Sequence, residues 1–142
     1  PYAIISFSRE GAARVEIRLV KRFDARAGPV EVRRRIAGLE PAGYTRSGAA
    51  IRHATVGLMH QAARHRLLLM LSDGRPNDED QYEGRYGIED TRVAVGEARL
   101  QGVHCFCLTV DREAPREAAW IFGRDFEVLT RTEWLARAGA GQ

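Results

Sequence analysis

The chain contains 142 residues with a mass of 15.9 kDa, the size of one domain, because single domains usually span roughly 100 to 200 residues. Hydrophobic residues make up 44% and charged residues 29%, which excludes a disordered or fibrous protein, and no apolar run reaches the roughly 20 residues of a membrane helix. The net charge is only +3, and the arginines are scattered rather than grouped into a nucleic-acid-binding stripe. We therefore expect one soluble, cytoplasmic domain over residues 1–138 with a flexible tail over 139–142.

The N-terminal half of the sequence predicts two strands and then two helices. Residues 2–7 are apolar and residues 15–20 alternate apolar with charged side chains, so these runs predict two strands joined by a short connection, the second at a sheet edge. Apolar side chains at helical spacing predict a short helix over 30–39 and a longer one over 47–65, for which Ser47 is a suitable N-cap.

The C-terminal half continues with alternating strands and helices. Residues 67–71 are continuously apolar and predict a strand covered on both faces, and the polar residues 75–87 predict a functional surface loop. Five further elements, alternately helix and strand, are predicted over 88–101, 103–110, 113–122, 126–129 and 132–138. Gly102 is placed to end the first of these helices in a left-handed conformation.

This order of elements predicts an α/β domain. We expect an open, mainly parallel sheet with helices on both faces and an antiparallel strand at one edge. Such sheets bind ligands at the carboxyl ends of their strands, where Asp73 and Thr45 are both placed by the predicted elements. Asp73 could hold a cation or cap the following turn, and Thr45 could coordinate a hard cation or hydrogen-bond within its own loop.

Two cysteines lie in the predicted strand 103–110. Cys105 and Cys107 are two residues apart, so a strand would point both thiols to one face, where a disulfide between them would be strained. We expect reduced thiols in the core. His53, His60 and His65 share the predicted helix 47–65 without the i, i+4 spacing of a zinc-binding pair, which favours structural roles.

Several stretches of the sequence resemble one known family. They are Gly43-Tyr-Thr-Arg-Ser-Gly-Ala-Ala-Ile-Arg-His53, Leu71-Ser-Asp-Gly-Arg-Pro-Asn-Asp78, Tyr82-Glu-Gly-Arg-Tyr-Gly-Ile-Glu-Asp-Thr-Arg92, and Val110-Asp-Arg-Glu113 with Phe122-Gly123. Together they resemble the von Willebrand factor A (VWA) domain of the NorD/CbbO family, over nearly the whole chain except its tail. The resemblance implies a Rossmann-like VWA fold.

The resemblance also implies a metal-ion-dependent adhesion site. In such a site a divalent cation, usually Mg²⁺, is held by an Asp-x-Ser-x-Ser motif, a threonine and an aspartate from three loops. Thr45 and Asp73 match the threonine and the aspartate, whereas the 142 residues contain no Asp-x-Ser-x-Ser motif. In the family this motif follows the first, central strand, so we expect the missing strand and motif to lie upstream of Pro1. A degenerate metal site is the alternative.

The implied function is that of a non-enzymatic adaptor. Family membership implies work with a MoxR-type AAA+ ATPase on a target metalloenzyme or Rubisco, in nitric oxide reductase maturation or Rubisco activation. The alternative is a small magnesium-dependent α/β hydrolase or phosphotransfer enzyme using Asp73, although the sequence has no Gly-x-Ser-x-Gly motif and no phosphate-binding glycine loop.

The polar loop contains candidate partner-binding residues. Tyr82, Arg85 and Tyr86 are of the types favoured as anchors in protein interfaces, and the loop follows Asp73 in the chain. A solvated linker is the alternative interpretation. Under the first interpretation these three side chains contact the protein partner whose carboxylate completes the metal site.

Overall fold

The computed structural model describes residues 1–10, 14–38, 47–72, 81–110 and 115–130, and five strands and four helices lie within these ranges. In chain order they are β1 (Ile4–Glu10), β2 (Arg14–Lys21), α1 (Pro29–Ala37), α2 (Ser47–Met59), β3 (Arg66–Ser72), α3 (Gln81–Leu100), β4 (Val103–Thr109), α4 (Pro115–Phe122) and β5 (Phe126–Val128). None of the described helices combines the length and apolar composition needed to cross a membrane. The predicted helix 132–138 and tail 139–142 lie outside the described residues.

The first two strands form an antiparallel pair, as the sequence predicts. Phe7 lies opposite Ile17 in its register. Lys21, at the end of β2, is buried beside the N-terminal residues: its Nζ donates a hydrogen bond to the backbone carbonyl of Tyr2 at 2.7 Å and lies 4.0 Å from the Tyr2 ring centroid. A cation–π contact and carbonyl acceptors therefore stabilise the charge of this buried lysine.

The other three strands form a parallel sheet in the order β3-β4-β5. Ser72 pairs with Thr109 and Thr109 pairs with Val128, so the three strands end level with one another. The α/β class, the parallel sheet and the antiparallel pair are confirmed. Among the described residues, however, the two sheets are not hydrogen-bonded into one.

The core lies between one face of the parallel sheet and three helices. Its buried residues, contributed by α2, α3, α4 and the strands, are Ile51, Leu68, Ala94, Val95, Ala98, Val103, Cys105, Cys107 and Phe122. The 3.6-residue period brings Thr91, Val95 and Ala98 onto the inner side of α3, as the sequence predicts. Burial of these apolar side chains holds the helices on the sheet.

The opposite face of β3 is exposed within the described structure. Leu67, Leu69 and Leu71 retain 57%, 48% and 70% of their accessible surface. The prediction that residues 67–71 are covered on both faces is therefore not met within the described residues. The prediction of helices on both faces of the sheet stays a prediction, because the predicted helix 132–138 lies outside those residues. The physical reason for the exposed face is that a continuous apolar run indicates only that its side chains favour burial, and not which of them are covered. In the structure α2, α3 and α4 all pack on the face of β3 that carries Leu68.

Helix α2 ends earlier than predicted, at Met59 rather than residue 65. The guanidinium of Arg66, the first residue of β3, donates hydrogen bonds to the carbonyl oxygens of Leu58 at 2.9 Å and Gln61 at 2.8 Å. These bonds satisfy carbonyls that a continuing helix would otherwise use, and they hold the turn into β3. A tertiary contact thus determines this boundary.

Helix α3 begins earlier than predicted, at Gln81, so residues 81–87 form its first turns and are not loop. Two glycines, Gly84 and Gly87, lower the helix propensity of this segment, which is why the sequence does not predict a helix there. The Thr91 hydroxyl donates a hydrogen bond to the Gly87 carbonyl at 2.7 Å within the helix. The other end agrees with the prediction, because Gly102 has φ = 87° just after α3.

Candidate functional site

The carboxyl edge of the parallel sheet collects the ends of several elements. Beyond the level strand ends, the Val110 amide donates to the Ser72 carbonyl at 3.3 Å and the Leu129 amide donates to the Thr109 carbonyl at 2.7 Å. Arg66 fixes the end of α2 at the opposite edge, where β3 begins. The first residue of α2, Ser47, therefore lies toward the carboxyl edge, because the helix runs antiparallel to β3.

The two residues predicted to bind metal, Thr45 and Asp73, lie outside the described residues. Thr45 comes two residues before the start of α2, and Asp73 immediately follows the last residue of β3. The structure therefore places the start of α2 and the end of β3, their neighbours in the sequence, at a common edge of the sheet.

A close contact joins α2 to α3 near this edge. A Cβ atom at position 48 would lie 2.1 Å from Oδ2 of Asp90 and 2.8 Å from its Cγ, distances that no side chain tolerates. With the Asp90 carboxylate in this position, only glycine fits in the first turn of α2. The Asp90 carboxylate also lies where the partial positive charge of the helix N-terminus favours an anion.

Arg52 holds the same two helices together. Its Nη1 donates to Oδ1 of Asp90 at 2.9 Å, and its Nε donates to Oε2 of Glu97 at 2.8 Å. The hydrogen bonds to Glu97 and then to Asp90 raise the pKa of Arg52 above its ordinary value. The cation is therefore permanent, and it clamps two acidic residues spaced seven apart on α3.

The sequence interpretation missed this clamp. The spacing of its residues in the sequence is compatible with the clamp. Asp90 and Glu97 are seven residues apart and so share a side of α3, and Gly48 and Arg52 are four residues apart and share a side of α2. What the spacing could not supply is the pairing of these two helix faces, which depends on how both helices pack on the sheet.

The predicted partner-binding residues belong to a helix. Tyr82, Arg85 and Tyr86 all lie in the first two turns of α3, and Arg85 and Tyr86 are exposed, the latter with 73% of its surface accessible. The side chain of Tyr82 is outside the described part of the molecule. A helix fixes the spacing of these residues more firmly than the predicted loop would.

An exposed tryptophan, also missed in the sequence, lies beside this region. Trp120 on α4 keeps 59% of its surface accessible, and its Nε1 donates a hydrogen bond to Oε1 of Glu89 at 2.5 Å. Arg92 donates from Nε to Oε2 of Glu89 at 3.1 Å, and its Cζ lies 5.2 Å from the Trp120 ring centroid. Hydrogen bonds from Trp120 and then Arg92 lower the pKa of Glu89, so this carboxylate is ionised near neutral pH.

The position of Trp120 has a sequence signal in retrospect. Ala118 and Phe122 on α4 are buried, and a residue midway between them on a helix points to the other side. We define the Trp120 surface as the exposed part of α3 and α4 formed by Glu89, Arg92 and Trp120.

The two cysteines are free and buried, as predicted. Both occupy the inner face of β4, where burial raises the pKa of the Cys105 thiol and raises that of Cys107 to about 11. At neutral pH both thiols are therefore protonated, which suits apolar packing and opposes nucleophilic chemistry.

The comparisons with known proteins identify relatives by sequence. No family model matches the chain, and no solved structure gives a significant match. The chain is 51% identical to Protein NorD of Brucella suis over 122 residues, covering 86% of this chain and 19% of that protein. It is 50% identical to Protein NorD of Stutzerimonas stutzeri over 131 residues, covering 92% of this chain and 21% of that protein.

A further relative is an uncharacterised protein of Pseudomonas aeruginosa, 52% identical over 136 residues, which cover 95% of this chain and 22% of the relative. The chain thus spans about a fifth of the length of the relatives that it matches. Identities of about 50% over most of its own residues support membership of this chain in the NorD family.

Proposed function

We propose that this chain is a metal-ion-dependent protein-binding adaptor domain of the VWA type, acting with a MoxR-type AAA+ ATPase to activate or mature a target enzyme. The target would be a metalloenzyme such as nitric oxide reductase, or Rubisco. The observation that carries the proposal is the identity of about 50% to proteins named NorD over most of the chain.

The architecture supports the VWA part of the proposal. The described residues contain a parallel sheet, helices that connect its strands, and an antiparallel pair, and β3 has no strand neighbour on the side away from β4. A further central strand would pair with that edge and, in the proposed fold, would be followed by the Asp-x-Ser-x-Ser motif. The apolar side chains exposed on β3 are also those that a larger sheet assembly would cover.

For the metal site we propose that Thr45 and Asp73 supply two of the oxygen ligands of Mg²⁺. A hydroxyl and a carboxylate suit this hard cation. Within the described ranges no cluster of three histidine, cysteine or acidic side chains could hold a metal, so the site depends on these two residues and on the absent motif. Two ligands alone are too few to displace the water shell of Mg²⁺ and hold it tightly.

The proposed action is recognition and not catalysis. When bound, the cation offers a coordination position that a carboxylate of the partner protein can fill. Asp73 would orient the cation, Thr45 would hold it through its hydroxyl, and the Arg52 clamp would keep α2 and α3 in fixed positions beside it. Asp73 therefore needs no general base nearby, in contrast to the hydrolase or phosphotransfer alternative.

Calorimetric titration with Mg²⁺ tests the metal site. We expect this chain to bind Mg²⁺ no more tightly than roughly millimolar, and a version lengthened to the extent of its NorD relatives to bind more tightly. In the longer chain Asp73→Ala should remove both Mg²⁺ binding and association with the target enzyme, whereas the control Asp24→Ala, an exposed aspartate after β2, should change neither. Tight stoichiometric binding by the short chain, or retained association after Asp73→Ala, would contradict the proposal.

The same variants separate the adaptor from the enzyme. We expect no Mg²⁺-dependent hydrolysis of p-nitrophenyl phosphate or p-nitrophenyl acetate by the longer chain. Turnover that is lost with Asp73→Ala would instead establish the hydrolase or phosphotransfer alternative.

A further inference from the structure

We propose that the outer side of helix α1 binds an acidic segment of another protein, in which neighbouring carboxylates lie beside an apolar side chain. The residues that share this side of the helix, defined here as the α1 surface, are Val30, Arg33, Arg34 and Ala37. The proposal adds an interaction surface at a different place in the fold. It does not depend on Thr45, on Asp73 or on the adaptor function proposed above.

A small number of contacts fixes which side of α1 faces solvent. Val32 is the one buried residue of this nine-residue helix, and a helix so short is marginally stable by itself. The Nη1 of Arg35 donates a hydrogen bond to the Val20 carbonyl of β2 at 2.9 Å, and the same guanidinium pairs with Glu31 one turn earlier. Val32 and Arg35 therefore hold α1 on the hairpin, and the side opposite Val32 is presented to solvent.

The α1 surface is a complete helix stripe. Its four positions follow the i, i+3, i+4, i+7 spacing of one helix side, and all four residues are exposed. Val30, at one end of the stripe, keeps 71% of its surface accessible. A partner that covers Val30 removes apolar surface from water, and the small Ala37 allows close approach at the other end.

The centre of the α1 surface carries two available cations. Arg33 and Arg34 are exposed, and neither forms an ion pair with another described residue, whereas Arg35 is paired with Glu31. A guanidinium binds a carboxylate through two parallel hydrogen bonds, so two neighbouring guanidinium groups favour two neighbouring carboxylates. Because Arg33 and Arg34 lie one turn from Val30, the apolar group of the partner should lie roughly 5 Å along the helix axis from its carboxylates.

A protein segment fits this surface better than a nucleic acid or a membrane. A phosphate backbone is bound by a row of uncompensated cations, whereas the stripe offers two and places the apolar Val30 beside them. A helix that lies on a membrane needs a continuous apolar side. In α1 the arginines occupy the centre of the exposed stripe and Val32 is buried, so no such side is available.

The test begins with a random peptide library displayed on phage. Peptides are selected on the purified chain, lengthened to the extent of its NorD relatives, and phage that also bind the double variant Arg33→Gln, Arg34→Gln are removed. We expect the selected peptides to combine neighbouring carboxylates with an apolar side chain. Binding of a selected peptide should weaken as the salt concentration rises, because ion pairs at an exposed surface are screened.

Fluorescence anisotropy then measures the affinity of a selected peptide for each variant. The double variant Arg33→Gln, Arg34→Gln should bind roughly tenfold more weakly or worse. Arg33→Lys with Arg34→Lys should lose less, because lysine keeps the charge and lacks the paired donors. Val30→Ala should weaken binding about threefold through lost apolar burial. The control Arg64→Gln, an exposed arginine between α2 and β3, should change affinity less than about twofold.

Three results would overturn the proposal. The first is a selection that yields no peptide able to distinguish the unchanged chain from the double variant, and the second is a set of selected peptides without carboxylates. The third is binding of a DNA duplex or of anionic phospholipid vesicles that the double variant loses, which would assign the α1 surface to a different class of partner. Because Val30 is exposed and carries no charge, Val30→Ala still reports on docking if the double variant loses α1. Failure of Mg²⁺ binding would leave all of these expectations in place.

Discussion

At the scale of single residues, the missing side chain at Gly48 determines how closely two helices meet. The Asp90 carboxylate occupies the space that a Cβ atom would need, and Arg52 holds that carboxylate in place. Arg52 is also bonded to Glu97, so displacing the Asp90 carboxylate disturbs this set of hydrogen bonds. The small size of Gly48 is therefore a packing requirement, and not one of backbone conformation.

We predict that Gly48→Ala destabilises the chain by about 1–3 kcal/mol, the usual cost of overpacking, because the added methyl group displaces the Asp90 carboxylate. The matched control is Gly57→Ala on the same helix, where a Cβ would meet nothing within 4 Å. That substitution should stabilise the chain by about 0.5–1 kcal/mol through its higher helix propensity. Urea unfolding of both variants measures the difference.

A double variant checks the cause. In the Asp90→Ala background Gly48→Ala should cost much less, so the two changes should not be additive. Equal costs with and without the carboxylate would show that the close contact is not what limits position 48.

The candidate site shows what residue-level patterns can and cannot supply. The buried free thiols of Cys105 and Cys107 follow from alternation along one strand, and this prediction is confirmed. The roles of Thr45 and Asp73 stay predictions, because both lie outside the described residues. Trp120 was missed because its contact with Glu89 joins two residues that lie 31 positions apart in the chain, which no local pattern encodes.

At the scale of elements, most strands and helices are predictable, and two boundaries are not. Alternation and helical spacing identify each described element because those patterns reflect the face that packs on the core. The end of α2 depends on hydrogen bonds from Arg66, and the start of α3 is concealed by Gly84 and Gly87. A contact from β3 therefore sets the first boundary, and the low helix propensity of the two glycines explains why the second was not predicted.

Strand β3 gives the clearest test at this scale, because adjacent leucines lie on opposite faces. Leu68→Ala should destabilise the chain by about 2–5 kcal/mol, since Leu68 is 8% exposed and packs in the core. Leu69→Ala should cost less than about 1 kcal/mol, since its side chain is 48% exposed. Comparable losses in urea unfolding would show that a second layer covers the outer face of β3.

At the scale of the whole molecule, the unpaired side of β3 predicts a difference between this chain and a longer one. If a further strand pairs there, the β3 amides that are not bonded to β4 should exchange with solvent deuterium on the order of a hundredfold more slowly in a chain lengthened to the extent of its NorD relatives. Amide exchange followed by NMR or mass spectrometry measures this. Amides in β4, which has a neighbour on each side, serve as the internal reference.

Equal exchange of the β3 amides in the two chains would contradict the proposed central strand. Thermal unfolding offers a second comparison, because a completed sheet should unfold more cooperatively than the short chain. The strand order from β3 to β5 could be predicted from the alternation of strands and helices. The separation of the described strands into two sheets could not, since it depends on which strands lie beside β3.

The bonds from Arg66 also have a mechanical consequence. One guanidinium joins the last turn of α2 to the first residue of β3, so a helix of 13 residues, about 20 Å long, is tied to the sheet at the end remote from Thr45. A force applied at the N-terminus of α2, such as a pull by a motor protein, would be transmitted along the helix to Arg66, the first residue of β3. The force would then act on β3, the strand that ends immediately before Asp73.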